Sequence, residues 1–135
     1  SNNRSQMTKT ERNTLIVDAY NANPTSMAAA LENFSNVEAA CKVALLGDML
    51  ELGEESLAEH VAVIRSAASR GFAKVCFVGK EFMKASEKTA VHEGVQFFET
   101  SDALAQWLCA EALSGATILI KGSRGTRMEK TVPVL

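Results

Sequence analysis

The residues able to do chemistry fall into three short stretches, each placed directly after an apolar run. In the first, Leu15-Ile16-Val17 leads into Asp18-Ala19-Tyr20-Asn21-Ala22-Asn23-Pro24. The Asp18 carboxylate can accept hydrogen bonds from a ribose, coordinate a cation, or cap the next turn. Tyr20 can stack on a ring or pack under its own loop. Asn21 and Asn23 can present amide edges to a heterocyclic base, but Asn23-Pro24 also has the form of a helix cap followed by a first-turn proline. Asn21 is therefore the better base ligand of the two.

The second stretch is Gly47-Asp48-Met49-Leu50-Glu51-Leu52-Gly53. Gly-Asp is ordinary turn chemistry. The residues after it are less ordinary: Met49, Leu50 and Leu52 are interleaved with Asp48, Glu51, Glu54 and Glu55. Apolar residues in such a loop either pack down on the core or present a surface that docks another domain. The third stretch is Lys121-Gly122-Ser123-Arg124-Gly125. Its two glycines let backbone N–H groups turn toward an anion, and Lys121 and Arg124 add charge. A guanidinium suits a carboxylate in particular, because its fork engages both oxygens at once.

Other chemistries lack their parts. There is no GxxxxGK[ST] string to cradle a triphosphate. No Ser/His/Asp or Cys/His set stands in a usable order, and no metal-ligand spacing is visible. His60, four residues after Ser56, reads as a partly exposed polar residue on a helix. Cys41, Cys76 and Cys109 are odd in number and far apart, without CxxC spacing, and read as reduced buried thiols. A net charge of −2 argues against nucleic acid or an anionic membrane as the main partner. No apolar run approaches the ~20 residues that cross a bilayer. No signal peptide is visible, which fits a cytoplasmic location.

The elements that must position these stretches are set by periodicity. Strands are expected at Leu15–Val17, Lys42–Leu46, Lys74–Val78, Val95–Phe98 and Thr117–Ile120. Met27, Ala30, Leu31 and Phe34 mark a helix from Pro24 to Phe34. Leu57, Val61, Ile64 and Ala68 mark another from Glu54 to Arg70, closed by Gly71. A shorter helix is expected over 81–89. A further helix is capped by Thr100 or Ser101 and carries Leu104, Trp107, Leu108 and Ala112 on its apolar face. The segment 126–135 has room for a helical turn or two before Pro133. Alternating strands and helices imply an α/β fold with a mostly parallel sheet of about five to six strands and helices on both faces. The near-continuous apolar strands agree, since strands covered on both sides do not alternate. In such a sheet all carboxyl ends share one edge, so the three polar loops are expected to converge there.

The chain opens Ser-Asn-Asn, and order is expected to begin near Thr14. Residues 1–13 read as an expression scar and linker, and 14–135 as one domain of a longer protein.

Taken together, Asp18 to Pro24, Leu46-Gly47-Asp48-Met49-Leu50-Glu51-Leu52-Gly53, and Lys121 to Arg124 resemble the C-terminal domain of the Mur ligases, over Thr14 to Met128. The resemblance implies a Rossmann-like fold. It also implies two partner domains: an N-terminal one for a UDP-sugar, and a central ATPase holding the P-loop and Mg²⁺. Within the family the strings are similar to those of the member that adds D-Ala-D-Ala to UDP-N-acetylmuramoyl-tripeptide, through phosphorylation of the tripeptide carboxylate by ATP. By resemblance, Asp18, Tyr20, Asn21 and Asn23 are ATP-side residues. Lys121, Gly122, Ser123 and Arg124 hold the dipeptide, and Asp48, Met49 and Glu51 belong to a domain-closure loop. ATP and Mg²⁺ would be held mainly by the central domain, and no catalytic residue or metal ligand is expected here. Ala19 stands where the family commonly has Ser.

Two other classes share parts of this pattern. A receiver-type phosphoacceptor could use Asp18, Asp48 and Lys121, but wants adjacent acids where Asp18 is followed by Ala19. A stand-alone dinucleotide-binding domain wants GxGxxG after its first strand, which is missing.

Overall fold

The computed structural model describes residues 6–135. In chain order the elements are β1 (Gln6–Lys9), β2 (Thr14–Asp18), α1 (Pro24–Ser35), β3 (Lys42–Gly47), α2 (Ser56–Ala68), β4 (Lys74–Val78), α3 (Lys80–Ser86), β5 (Val95–Phe98), α4 (Ser101–Glu111) and β6 (Thr117–Lys121). Short 3-10 turns cover Gly53–Glu55, Arg124–Thr126 and Met128–Val134. The sheet runs β1-β2-β6-β3-β4-β5. Only β1 is antiparallel to its neighbour; the other pairings are parallel.

Order begins earlier than Thr14. Gln6 to Lys9 pairs along β2, and the residues after it are tied to the far end of the chain. Thr10 Oγ1 and Asn13 Nδ2 both donate to the Leu135 carbonyl, at 2.8 and 2.9 Å. Asn13, itself buried, also bonds Leu113 and Ala116. The linker reading is thereby corrected over 6–13, while residues 1–5 lie outside the described residues. β1 is exposed along its whole length, so it shows none of the apolar alternation that marks a half-buried strand.

The connections explain where a site can form. α1, α2 and α3 pack on one face over Met27, Leu31, Phe34, Ile64, Phe77 and Phe82. α4 and the Met128–Val134 turns pack on the other, over Leu45, Leu104, Leu108, Ile118 and Ile120. β2 passes through α1 to β3, leaving a gap that β6 fills on its return through α4. Chain leaving β2 and β3 goes to one face and chain leaving β6 goes to the other. Crevices at the carboxyl ends of such strands are where open α/β sheets hold ligands.

Local chemistry sets the helix starts. Asn23 Oδ1 accepts from Ser26 N–H at 2.8 Å and Ser26 Oγ accepts from Asn23 N–H at 3.0 Å, a reciprocal capping box with Pro24 in the first turn. Thr100 caps α4 through Ala103 N–H. α2 starts at Ser56, after a 3-10 turn, and α3 is Lys80–Ser86 rather than 81–89. Of the cysteines, Cys76 is buried and Cys41 half-buried, but Cys109 is exposed on α4. The run around Cys109 is apolar on one helix face only, and Cys109 sits on the other.

Candidate functional site

The three polar loops meet on the central strands β2, β6 and β3. In the parallel ladders Asp18 lies opposite Lys121, and Lys121 opposite Leu46. Gly122 N–H donates to the Asp18 carbonyl at 3.4 Å, and Ser123 N–H to the Asp48 carbonyl at 3.2 Å. A Cβ on Gly122 would stand 2.7 Å from Met128 Cγ and 3.1 Å from the Gly47 backbone. Loops after β3 and β6 pass this closely only because neither residue carries a side chain.

The four residues Lys121 to Arg124 do not act as one patch. Lys121 is 1% exposed and turns inward. Its ammonium donates to Asp18 Oδ2 at 2.8 Å and to the Asn21 carbonyl at 3.0 Å. Its ammonium is thus engaged inside the protein and is not presented at the surface with Arg124. Gly122 and Ser123 are buried as well. Arg124 alone faces out, its guanidinium 4.1 Å from the centre of the Tyr20 ring. Tyr20 is 63% exposed, so this cation–π pair forms a projecting lip.

The Asp18 loop divides in the same way. Asp18 is buried, and its Oδ1 has no hydrogen-bond partner. Asn21 and Asn23 are exposed, but Asn23 is committed to the α1 cap. A cavity of about 230 Å³ is bounded by Asp18, Asn21, Lys121 and the α1 side chains Ser26 and Asn33.

In the β3 loop, Asp48 and Met49 are buried, while Leu50 and Glu51 face outward. The Asp48 carboxylate accepts Glu81 N–H at 2.9 Å and Phe82 N–H at 3.0 Å, and so caps α3 from a distant loop. Burial pushes its carboxyl above the usual 3.8, opposed by those two backbone bonds. His60 is fully buried, not partly exposed: Nε2 accepts Met49 N–H at 3.1 Å and Nδ1 lies 2.7 Å from the Ser56 carbonyl. Its polar atoms are satisfied by the loop it supports, an arrangement that helical spacing alone does not reveal. The outward face available for docking is thus Leu50 and Glu51, with Tyr20 and Arg124 beside them.

Beside this rim lies a groove of about 400 Å³ bounded by Leu50, Glu81, Ser101, Asp102, Arg127 and Lys130, among others. The polar run Glu99-Thr100-Ser101-Asp102 was legible as a fourth loop on the same edge; its capping role hid it. Among the described residues no group of three or more His, Cys, Asp or Glu side chains could hold a metal ion. The Asp18 carboxylate, with its unpaired Oδ1, has the chemistry to accept a hydroxyl group. No helix of the described residues is long and apolar enough to cross a membrane.

A mostly parallel α/β sheet with helices on both faces and polar loops along one rim places the chain among the open α/β domains that bind ligands at their strand ends. The family described as Mur ligase, glutamate ligase domain, matches residues 3–124, and the chain belongs to that family as its C-terminal domain. It is 39% identical over 125 residues to the UDP-N-acetylmuramoyl-tripeptide–D-alanyl-D-alanine ligase of Treponema pallidum, covering 90% of this chain and 27% of that protein. It is 39% identical over 128 residues to the same-named ligase of Escherichia coli, covering 93% and 27%. A crystal structure of MurF from Acinetobacter baumannii superposes with a TM-score of 0.83 at 30% identity, over 96% of this chain and 29% of that one. The chain thus spans under a third of the length of each of these three relatives.

Proposed function

We propose that this chain is the closing domain of a bacterial, cytoplasmic ATP-dependent ligase that joins D-Ala-D-Ala to UDP-N-acetylmuramoyl-tripeptide in peptidoglycan precursor synthesis. Its partners are then an N-terminal domain holding the UDP-sugar and a central domain holding the P-loop and Mg²⁺. The observation that carries this is the single rim on β2, β6 and β3, with an open buried acceptor at Asp18 and one outward guanidinium at Arg124. The identity to two same-named ligases supports the choice of substrate.

ATP supplies the phosphoryl group that activates the tripeptide carboxylate. This chain's residues bind and orient. Asp18 Oδ1 accepts from a ribose hydroxyl, and Tyr20 and Asn21 border the adenine side. Arg124 engages the dipeptide carboxylate, and Leu50 and Glu51 dock on the central domain as it closes. The isolated chain is then inactive, because positioning and charge stabilisation of a transferring phosphoryl group need the P-loop and metal. ATP turnover by the purified chain would overturn that part. The receiver-type alternative loses its second acid, since Asp48 is occupied in capping α3.

The test is Arg124→Ala in the full-length ligase. Losing a charge-assisted bond of about 1.5–3 kcal/mol raises KM for D-Ala-D-Ala roughly 10- to 100-fold while KM for ATP moves far less. A rise confined to ATP would move the carboxylate site elsewhere.

A further inference from the structure

We infer that Lys121 is a positioning residue for Asp18, one that fixes which carboxylate oxygen meets the nucleotide, and not a ligand of either substrate. The inference rests on the ligase reading above. Asp18 and Lys121 are opposite residues on adjacent parallel strands, so both side chains leave the sheet on the same face beneath α1. The ammonium is almost wholly buried and draws on Asp18 Oδ2 and the Asn21 carbonyl, both in the loop after β2. One lysine therefore sets the rotation of the carboxylate and the path of the 18–23 loop together. The other oxygen, Oδ1, is buried and without a partner, and Asp18 lines the cavity that Asn21 and Lys121 share.

That asymmetry is the core of the inference. A buried ion pair is seldom the most stable way to fill a core position, because desolvating both charges offsets their attraction. Here it leaves one acceptor buried and without a protein partner. Nearly all other buried side-chain polar atoms among the described residues are bonded; Ser123 Oγ, on the next loop, is the other exception. An acceptor already fixed by its partner oxygen's ion pair costs little further reorganisation when a donor arrives. Without Lys121 the carboxylate is free to turn and hydrate, and the Asn21 carbonyl loses its tether.

The experiment is steady-state kinetics on the full-length ligase carrying Lys121→Met, Lys121→Arg, Asp18→Asn, and Asp18→Asn with Lys121→Met. Lys121→Met is expected to raise KM for ATP at least 10-fold while KM for D-Ala-D-Ala stays within about 2-fold. Lys121→Arg, which keeps a donor at the site, recovers part of the loss. The double variant binds ATP no worse than Asp18→Asn alone, because Lys121 acts through Asp18. A rise in KM for the dipeptide instead makes Lys121 a substrate ligand and overturns the inference. So does a fall in kcat with both KM values unchanged, or additive losses in the double variant. If Lys121→Met does not fold, the comparison of Lys121→Arg with Asp18→Asn still decides: a defect in dipeptide KM, or none in ATP KM, overturns it. Absence of D-Ala-D-Ala ligation by the wild-type enzyme instead refutes the underlying reading, before any variant is compared.

Discussion

Replacing Asp48 by alanine is the sharpest probe of how the rim is held. Its carboxylate is the N-terminal cap of α3, though it arrives from the loop after β3, more than thirty residues earlier in the chain. Alanine leaves Phe82 N–H buried and unpaired, at about 1–3 kcal/mol. The partly buried Glu81 N–H regains water at a cost of up to about 1 kcal/mol, and loss of a negative charge at a helix start adds about 0.3–1 kcal/mol. Against this, burial already disfavours the charged carboxylate, and removing it relieves part of that desolvation cost. The net expectation is a loss of about 2–3 kcal/mol, or on the order of 10 °C in Tm for a domain of this size. Asp48→Asn keeps one acceptor oxygen and should lose about half as much. Urea unfolding supplies the free energies, and amide exchange at Glu81 and Phe82 reports whether the damage sits at α3. A loss below about 0.5 kcal/mol, or an asparagine variant as weak as alanine, would refute the cap.

The same carboxyl gives a signed pH dependence. Burial raises Asp48 above 3.8, so the folded chain binds this proton more tightly than the unfolded one. Its contribution is fully present below about 3.8 and is lost as pH climbs through the folded value. Stability of the wild type relative to Asp48→Asn should therefore decline across that range in urea titrations, and a difference that grows with pH contradicts the assignment. Glu81 runs the opposite way: the Ser56 hydroxyl, at 2.7 Å, lowers it first, so its contribution is present above 4.5 and fades on acidification. Gly79→Ala should cost about 3 kcal/mol or more, because φ is +123° there and a Cβ would run into the Asp48 carboxylate; a loss under 1 kcal/mol in thermal unfolding counts against this packing. Among the thiols, exposed Cys109 should react quickly with a disulfide reagent. Cys76, which burial pushes up to about 12, should wait for unfolding, and equal rates would contradict the burial assigned to it.

The sequence by itself determined the architecture and the edge on which the polar loops gather. Five apolar runs at regular spacing admit little other than a parallel sheet with covering helices, because strands buried on both faces must be apolar throughout and their crossovers must be helical. The polar loops after the runs at 15–17, 43–46 and 117–120 were bound to share an edge for the same reason. The folding of residues 6–9 was not legible, since an exposed edge strand has no apolar period to display. What only the tertiary structure decided is which way each polar side chain turns. Lys121 and Arg124 are three residues apart in one basic string, yet one neutralises Asp18 inside the sheet and the other stacks on Tyr20 at the surface. Asp48 and Glu51 divide likewise, one capping α3 and the other facing outward. Orientation of this kind depends on partners distant along the chain, and those meet only when β6 inserts between β2 and β3.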